Sequence, residues 1–153
     1  MIATSFRLRP SKKLRLSAQD LRTSAGSHSV ADNLTRALTD ALTPIVLATI
    51  SLVTSRHELL ARLRLTTPDG VPLLAETNKM IAAYLTAERG LGRIELDTDV
   101  DAVAVILVGS AHLMAAGRPA AALDPGDLRL LLTIVIPCVI QQLPVRAVQA
   151  RHD

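Results

Sequence analysis

One stretch limits what this chain can fold into more than any other: "LRLLLTIVIPCVIQQL", Leu128–Leu143. Between Leu130 and Ile140 it is apolar almost all the way round. A helix of that pattern has no polar face to offer water, so it must be buried on more than one side. It also contains Arg129, Pro137 and two Gln residues, and it falls short of the roughly 20 apolar residues that cross a bilayer. It reads as a buried helix and not as a membrane span. In a chain of 153 residues, a length that suits one domain, one side of this helix can face the chain's own core and the other a second subunit.

What surrounds that helix is also helical. Hydrophobic residues make up 49% and charged residues 20%, a globular balance. There is one Phe, one Tyr and no Trp, so the core must be built from Leu, Ile, Val and Ala, and no aromatic platform exists for stacking on bases. Residues 11–23 suit a short helix with Ser11 as N-cap and Leu14, Ala18 and Leu21 on one face. "TSAGSHS" (Thr23–Ser29) is a loop. From Val30, the positions Leu34, Leu38, Ala41, Leu42, Ile45 and Thr49 follow a helical period, which Pro44 should kink or divide. "HELLARLRL" (His57–Leu65) is a further short helix, broken by "TTPDG" (Thr66–Gly70). Pro72–Arg89 follows, with Pro72 in its first turn and Gly90 as C-cap. Val100–Ala116 is apolar and rich in small residues, including Gly109, Ser110, Ala111 and Ala115. Asp124 caps the last helix, which runs from Pro125 to about Leu143. No strand alternation and no internal repeat is found. The expected fold class is all-α, a helical bundle. The last two helices either lie at the centre of a monomer or pair with those of a second copy in a four-helix interface through Val103, Leu107, Ser110, Met114, Leu131, Val135 and Val139.

Charge is unevenly placed. Residues 1–22 hold six of the 17 Lys and Arg residues but one of the 14 Asp and Glu residues, so the rest of the chain is mildly acidic. A basic arm on an acidic body suits contact with a polyanion through the arm alone. Cys138 is the single cysteine, which excludes an intramolecular disulfide. With no signal-peptide pattern at the N-terminus, the expected location is the cytoplasm, with no membrane partner.

Catalytic and metal motifs do not emerge. "DTDVD" (Asp97–Asp101) opens like a calcium loop, but Ala102 and Val108 stand where such a loop needs Gly and Glu. Carboxylates there suit a helix N-terminus instead. "GLG" (Gly90–Gly92) follows a helix and lacks a third Gly, so it is a helix stop and not a dinucleotide loop. His28, His57, His112 and His152 have no zinc spacing. Ser110 lies in no nucleophile elbow. No enzymatic activity, metal or cofactor is expected.

Two segments carry a resemblance. "FRLRPSKKL" (Phe6–Leu14) resembles the end of the DNA-binding head of TetR-family transcriptional regulators, where an aromatic residue closes the recognition helix and an x-Ser-Lys step opens the next. Phe6, Pro10, Ser11 and Lys12 match; Arg9 and Lys13 replace the usual Phe and Glu. "MIAAYLTAERGLGRIELDTDVDAVAVILVGSAHLMAAG" (Met80–Gly117) looks like the family's ligand-binding domain: a helix ending in Gly-Arg-Ile, an acidic connector, and an Ala/Val-rich helix with Val-Gly before Ser-Ala-His. The resemblance implies a regulator, expected to be a repressor and a homodimer. Residues 1–24 would be the remnant of the helix-turn-helix head and the helix after it, and residues 30–145 the ligand-binding and dimerisation domain. It implies DNA contact through Phe6, Arg7, Ser11 and Lys12, and a small apolar effector held by Ile45, Thr49, Met80, Tyr84 and His112. The alternative is a free-standing helical dimerisation or ligand-binding module without DNA binding. On this alignment Met1 falls inside the recognition helix, so no complete reading head is expected, and the remaining basic groups position on phosphate without specifying sequence. The chain alone should therefore bind DNA weakly and with steep salt dependence; a gel shift showing tight, sequence-specific binding would contradict this.

Overall fold

The computed structural model describes residues 12–66, 71–116 and 123–140. These form seven helices: α1 (Lys12–Thr23), α2 (Val30–Ala41), α3 (Pro44–Ser55), α4 (His57–Thr66), α5 (Pro72–Gly90), α6 (Val100–Ala116) and α7 (Pro125–Ile140). No strand occurs among the described residues, so the chain is all-α as expected. Ser11, the expected cap of α1, and residues 141–143, the expected end of α7, lie outside the described residues.

Each boundary has a local cause. Ser29 caps α2 reciprocally: its Oγ accepts the Asp32 N–H at 3.0 Å and donates to Asp32 Oδ2 at 2.6 Å. The same carboxylate meets Arg129 Nε of α7 at 2.8 Å. The Ser29 hydrogen bond, and after it the Arg129 guanidinium, hold the Asp32 carboxyl below the usual carboxylate range, against the opposing effect of desolvation. This ion pair is partly exposed and orients α7 on α2 more than it stabilises them. Pro44 divides the long apolar pattern as expected. Leu42 closes α2, the Thr43 hydroxyl accepts the Val46 N–H at 3.5 Å, and Pro44 starts α3 at its first turn. The axes of α2 and α3 differ by 64°. Asp99 Oδ1 accepts the Ala102 N–H at 3.0 Å and so caps α6. Thus part of "DTDVD" is a helix start. Asp124 Oδ1 takes the N–H groups of Gly126 and Asp127 at 2.8 and 3.0 Å, opening α7 as expected.

The end of α5 differs from expectation. Gly90 is still helical, and the turn is made two residues later by Gly92 at φ 72°. The Gly92 N–H bonds to the Arg89 carbonyl and the Arg93 N–H to the Glu88 carbonyl, both at 3.0 Å. These are the paired bonds of a Schellman closure, which requires the left-handed residue to sit at Gly92.

The core lies between α2, α5, α6 and α7. Leu34, Leu38 and Leu42 meet Ile81, Tyr84 and Leu85, Ala104, Leu107, Val108 and Ala111, and Leu128 and Leu132. The broadest helix contact joins α5 to α6, while α2 packs on α7. Leu21 of α1 belongs to the same core, with Leu14 and Ala18 packed against its edge. So α1, placed by sequence with a separate N-terminal unit, shares its apolar core with the rest. Helices α3 and α4 stay peripheral. Although α3 is apolar, only Ile50 is buried among its residues. Among the described residues, no single helix is long and apolar enough to cross a membrane. Leu38→Ala should cost about 2–5 kcal/mol in urea unfolding, whereas Leu52→Ala on exposed α3 should change stability by less than about 0.5 kcal/mol; equal losses would place the core elsewhere.

Candidate functional site

The main polar cluster inside the fold forms where the α1–α2 loop meets the end of α5. Its centre is Glu88, fully buried. Glu88 shares the face of α5 that carries Ile81, Tyr84 and Leu85, where an acid is out of place unless it is fully partnered. Tyr84, one turn before it, donates its hydroxyl proton to Glu88 Oε1 at 2.5 Å. The Gly26 N–H of the loop reaches the same oxygen at 3.3 Å. Arg93 Nη1 stands 3.3 Å from Oε1 and 3.1 Å from Oε2, so the carboxylate is ion-paired. The other end of the guanidinium, Nη2, donates to the His28 carbonyl at 2.5 Å.

Asn33 of α2 completes the cluster. Its amide nitrogen donates toward Ser24 O (3.1 Å), Ser27 O (2.8 Å) and Tyr84 Oη (3.1 Å). Three acceptors around one NH2 decide which way the amide points. The phenol of Tyr84 therefore accepts from Asn33 and donates to Glu88. Burial first, and then the bond to Glu88, raise the Tyr84 phenol well above its ordinary value of 10.0. The loop is shaped for this arrangement. Gly26 has φ 80°, and a Cβ there would stand 3.1 Å from Leu91 Cδ1, so no other residue fits without displacement. His28 takes a left-handed φ of 51°, uncommon for a residue with a side chain, and its carbonyl is the one Arg93 holds. Chemically this is a network that ties the α1–α2 loop and α2 to the end of α5; Asn33 Oδ1 and Glu88 Oε2 are buried without a hydrogen-bond partner, and Oε2 is met by the Arg93 guanidinium as an ion pair.

A different arrangement lies on the surface between α1 and α5, where an open cleft of about 230 Å³ has Leu14, Ala18, Met80 and Ala83 on its floor. Arg15, Arg22, Lys79 and Glu76 surround it. Among the described residues, no group of three His, Cys, Asp or Glu side chains is placed to hold a metal ion.

No described cavity is lined by more than one of the five residues expected to hold an effector. Ile45 is 80% exposed and Thr49 is also exposed, both on peripheral α3. Tyr84 is fully buried with its hydroxyl committed to Asn33 and Glu88, so it has no surface for a ligand. Met80 forms the floor of the α1–α5 cleft. His112 is half-buried on α6, with an Nδ1 that makes no hydrogen bond. The expected interface residues also separate. Val103 and Leu107 are buried in the chain's own core and have nothing left to give a second copy. Ser110, Met114, Leu131 and Val135 are half-buried at its edge. Helix α6 is apolar on all sides, so periodicity could not say which side turned inward. The side chain of Val139, and Phe6, Arg7, Ser11 and the side chain of Lys12, lie outside the described residues.

No pattern in the sequence singles out Asn33, Glu88, Arg93, Gly26 and His28 as a group. One signal was present: Tyr84 and Glu88 are spaced i, i+4 on a helix face otherwise apolar. Gly26, His28 and Asn33 lie 62, 65 and 51 residues from the groups they bond, and no local pattern joins them. No family model matches the chain, and no curated protein and no solved structure matches it.

Two outcomes test the network. Glu88→Ala should destabilise the fold by about 3 kcal/mol, since it strands Arg93 and the Tyr84 hydroxyl together, whereas Tyr84→Phe should cost about 1–2 kcal/mol; denaturant titration of both variants would show whether the order holds. Tyr84 is the single tyrosine, so alkaline difference absorbance reads it alone. The neutral phenol is the form the fold favours. The stabilisation this provides is complete below pH 10 and is lost as pH rises through the elevated folded value. Phenolate should thus be absent at pH values where a free tyrosine is already ionised, and should appear with unfolding.

Proposed function

We propose that the chain is the dimerising, effector-responsive helical part of a TetR-like transcriptional regulator, with DNA contact assigned to the basic segment around Phe6, Arg7, Ser11 and Lys12. The fold class agrees with this reading but is too general to carry it; the outer face of α6 supports its dimeric part. That face consists of Ala102, Val105, Ile106, Gly109, Leu113 and Ala116, all exposed and none polar in side chain. Leu130, Ile134 and Pro137 extend the exposed apolar surface on α7. A monomer that left both stripes in water would expose apolar surface of the kind that marks an interaction site.

Gly109 is the observation that carries the reading. It sits mid-helix, where Gly costs about 1 kcal/mol relative to Ala. A Cβ built on it would meet nothing within 4 Å, so the chain's own packing does not require a glycine there. A glycine in the middle of an exposed apolar face allows another helix backbone to come close. A second copy presenting the same face satisfies this by two-fold symmetry, and α6 and α7 of each chain then form four packed helices. The interface on this reading centres on Ile106, Gly109, Leu113, Leu130 and Ile134, with Ser110, Met114, Leu131 and Val135 along its margin. An effector that binds one arrangement of these helices better than another would shift the dimer's geometry, and with it the DNA-contacting arms.

Sedimentation decides the dimeric part. The wild-type chain should sediment as a dimer, and Leu113→Asp should sediment as a monomer with unchanged helical circular dichroism. A monomeric wild type would remove the proposal.

A further inference from the structure

We infer that the cleft between α1 and α5 binds a free fatty carboxylate, an anion with a single unbranched apolar tail. This deepens the functional reading only in treating the ligand as the effector; the binding itself rests on the cleft. Its floor is apolar throughout: Leu14 and Ala18 from α1, Met80 and Ala83 from α5. Met80 is an adaptable filler of the sort that accommodates a flexible chain. The rim is charged and unbalanced, with three cations and one carboxylate. Arg15 and Arg22 are seven residues apart, so they stand about two helical turns from each other on the cleft side of α1. Both are exposed, and neither makes an ion pair among the described residues. Lys79 contacts Glu76 at 3.5 Å across an exposed i, i+3 pair, an interaction weak enough for an incoming anion to compete with.

Shape and charge together narrow the occupant. A volume of about 230 Å³ lies below the range of roughly 300–1,000 Å³ in which drug-sized ligands are held, so the cleft suits one narrow chain and not a fused ring system. An alcohol or alkane of the same length would satisfy the floor but bring no negative charge to the guanidinium groups. A nucleic-acid phosphate would satisfy the arginines and leave the apolar floor facing water. A carboxylate on an apolar tail serves both, since guanidinium groups hold carboxylates by paired hydrogen bonds and lose little hydration in doing so.

The position gives binding a consequence. The far end of α1 runs into Ser24 and Gly26, which the Asn33 and Glu88 network holds against α5. A chain wedged between α1 and α5 at Leu14 and Ala18 would move the other end of α1, the end that continues into the basic N-terminal segment.

The experiment is isothermal titration of the full chain with decanoate below its micelle concentration, alongside decanol and a short DNA duplex. Decanoate should bind saturably with one site per chain, and decanol should bind at least about tenfold more weakly. The double variant Arg15→Gln/Arg22→Gln should lose about tenfold in decanoate affinity with decanol binding unchanged. Ala83→Asp, at an exposed floor position, should weaken both ligands while helical circular dichroism is retained. The inference is overturned if decanoate does not bind, if decanol binds as well as decanoate, if the arginine substitutions leave decanoate affinity unchanged, or if DNA, and not decanoate, loses affinity in the arginine variant. Sedimentation of the same samples keeps the two proposals apart: a monomer that still binds decanoate refutes the dimer alone, and a dimer that does not bind it refutes the cleft alone.

Discussion

The buried carboxylate of Glu88 is the interaction on which the arrangement of the N-terminal half depends. Its residue does two things at once. The backbone carbonyl accepts the Arg93 N–H and closes α5. The side chain draws in Tyr84, the Gly26 N–H and the Arg93 guanidinium. In closures of this kind the residue three before the cap and the second residue after it frequently make a hydrophobic contact. Here those two positions are Glu88 and Arg93, and an ion pair takes the place of that contact. The substitution has a geometric use. Arg93 extends beyond Glu88 to the His28 carbonyl, so the helix stop of α5 also holds the loop from α1 to α2. A hydrophobic pair would end the helix but could not grip a backbone loop. The arrangement demands full partnering, because a carboxylate without its cation at this depth would be strongly unfavourable.

The C-terminal half is governed by a different constraint, too much apolar surface. Helix α6 buries one side against α5 and α7 one side against α2, and they still carry Ile106, Leu113, Leu130 and Ile134 on the side facing water. A core of aliphatic residues packs well from either side of such a helix, and little in the side-chain chemistry distinguishes inside from outside. What separates them is position. Small residues Ala104 and Ala111 are buried in the core, and Gly109 faces out. The molecule is thus asymmetric in its use of polarity: its N-terminal half is specified by hydrogen bonds, and its C-terminal half by which apolar face remains uncovered.

Local chemistry was readable where it is short-range. The Pro44 division, the Asp124 cap and the start of α5 at Pro72 each depend on residues within a few positions of one another, and each stands where those residues imply. The turn that ends α5 lies two residues beyond the one the sequence points to, because Gly90 and Gly92 are equivalent by composition. Only the return of Arg93 to Glu88 selects the second. Tyr84 suits a ligand contact by sequence for a similar reason. A lone aromatic with a hydroxyl on an apolar helix suits a pocket or a core equally, and the deciding partner, Asn33, lies 51 residues away.

The sequence by itself determined the helices, through a 3.6-residue apolar period, the absence of alternation and the caps at their ends. It also determined that the aliphatic surface exceeds what a chain of this length would bury on one side of each helix. The tertiary structure alone decided which way α6 faces, that Glu88 is an anchor and not a surface acid, and that α1 joins the core while its outer edge forms a cleft with α5. The reason is physical: periodicity and capping are set by neighbours in sequence, whereas the facing of an all-apolar helix and the partnering of a buried charge are set by groups that only folding brings together.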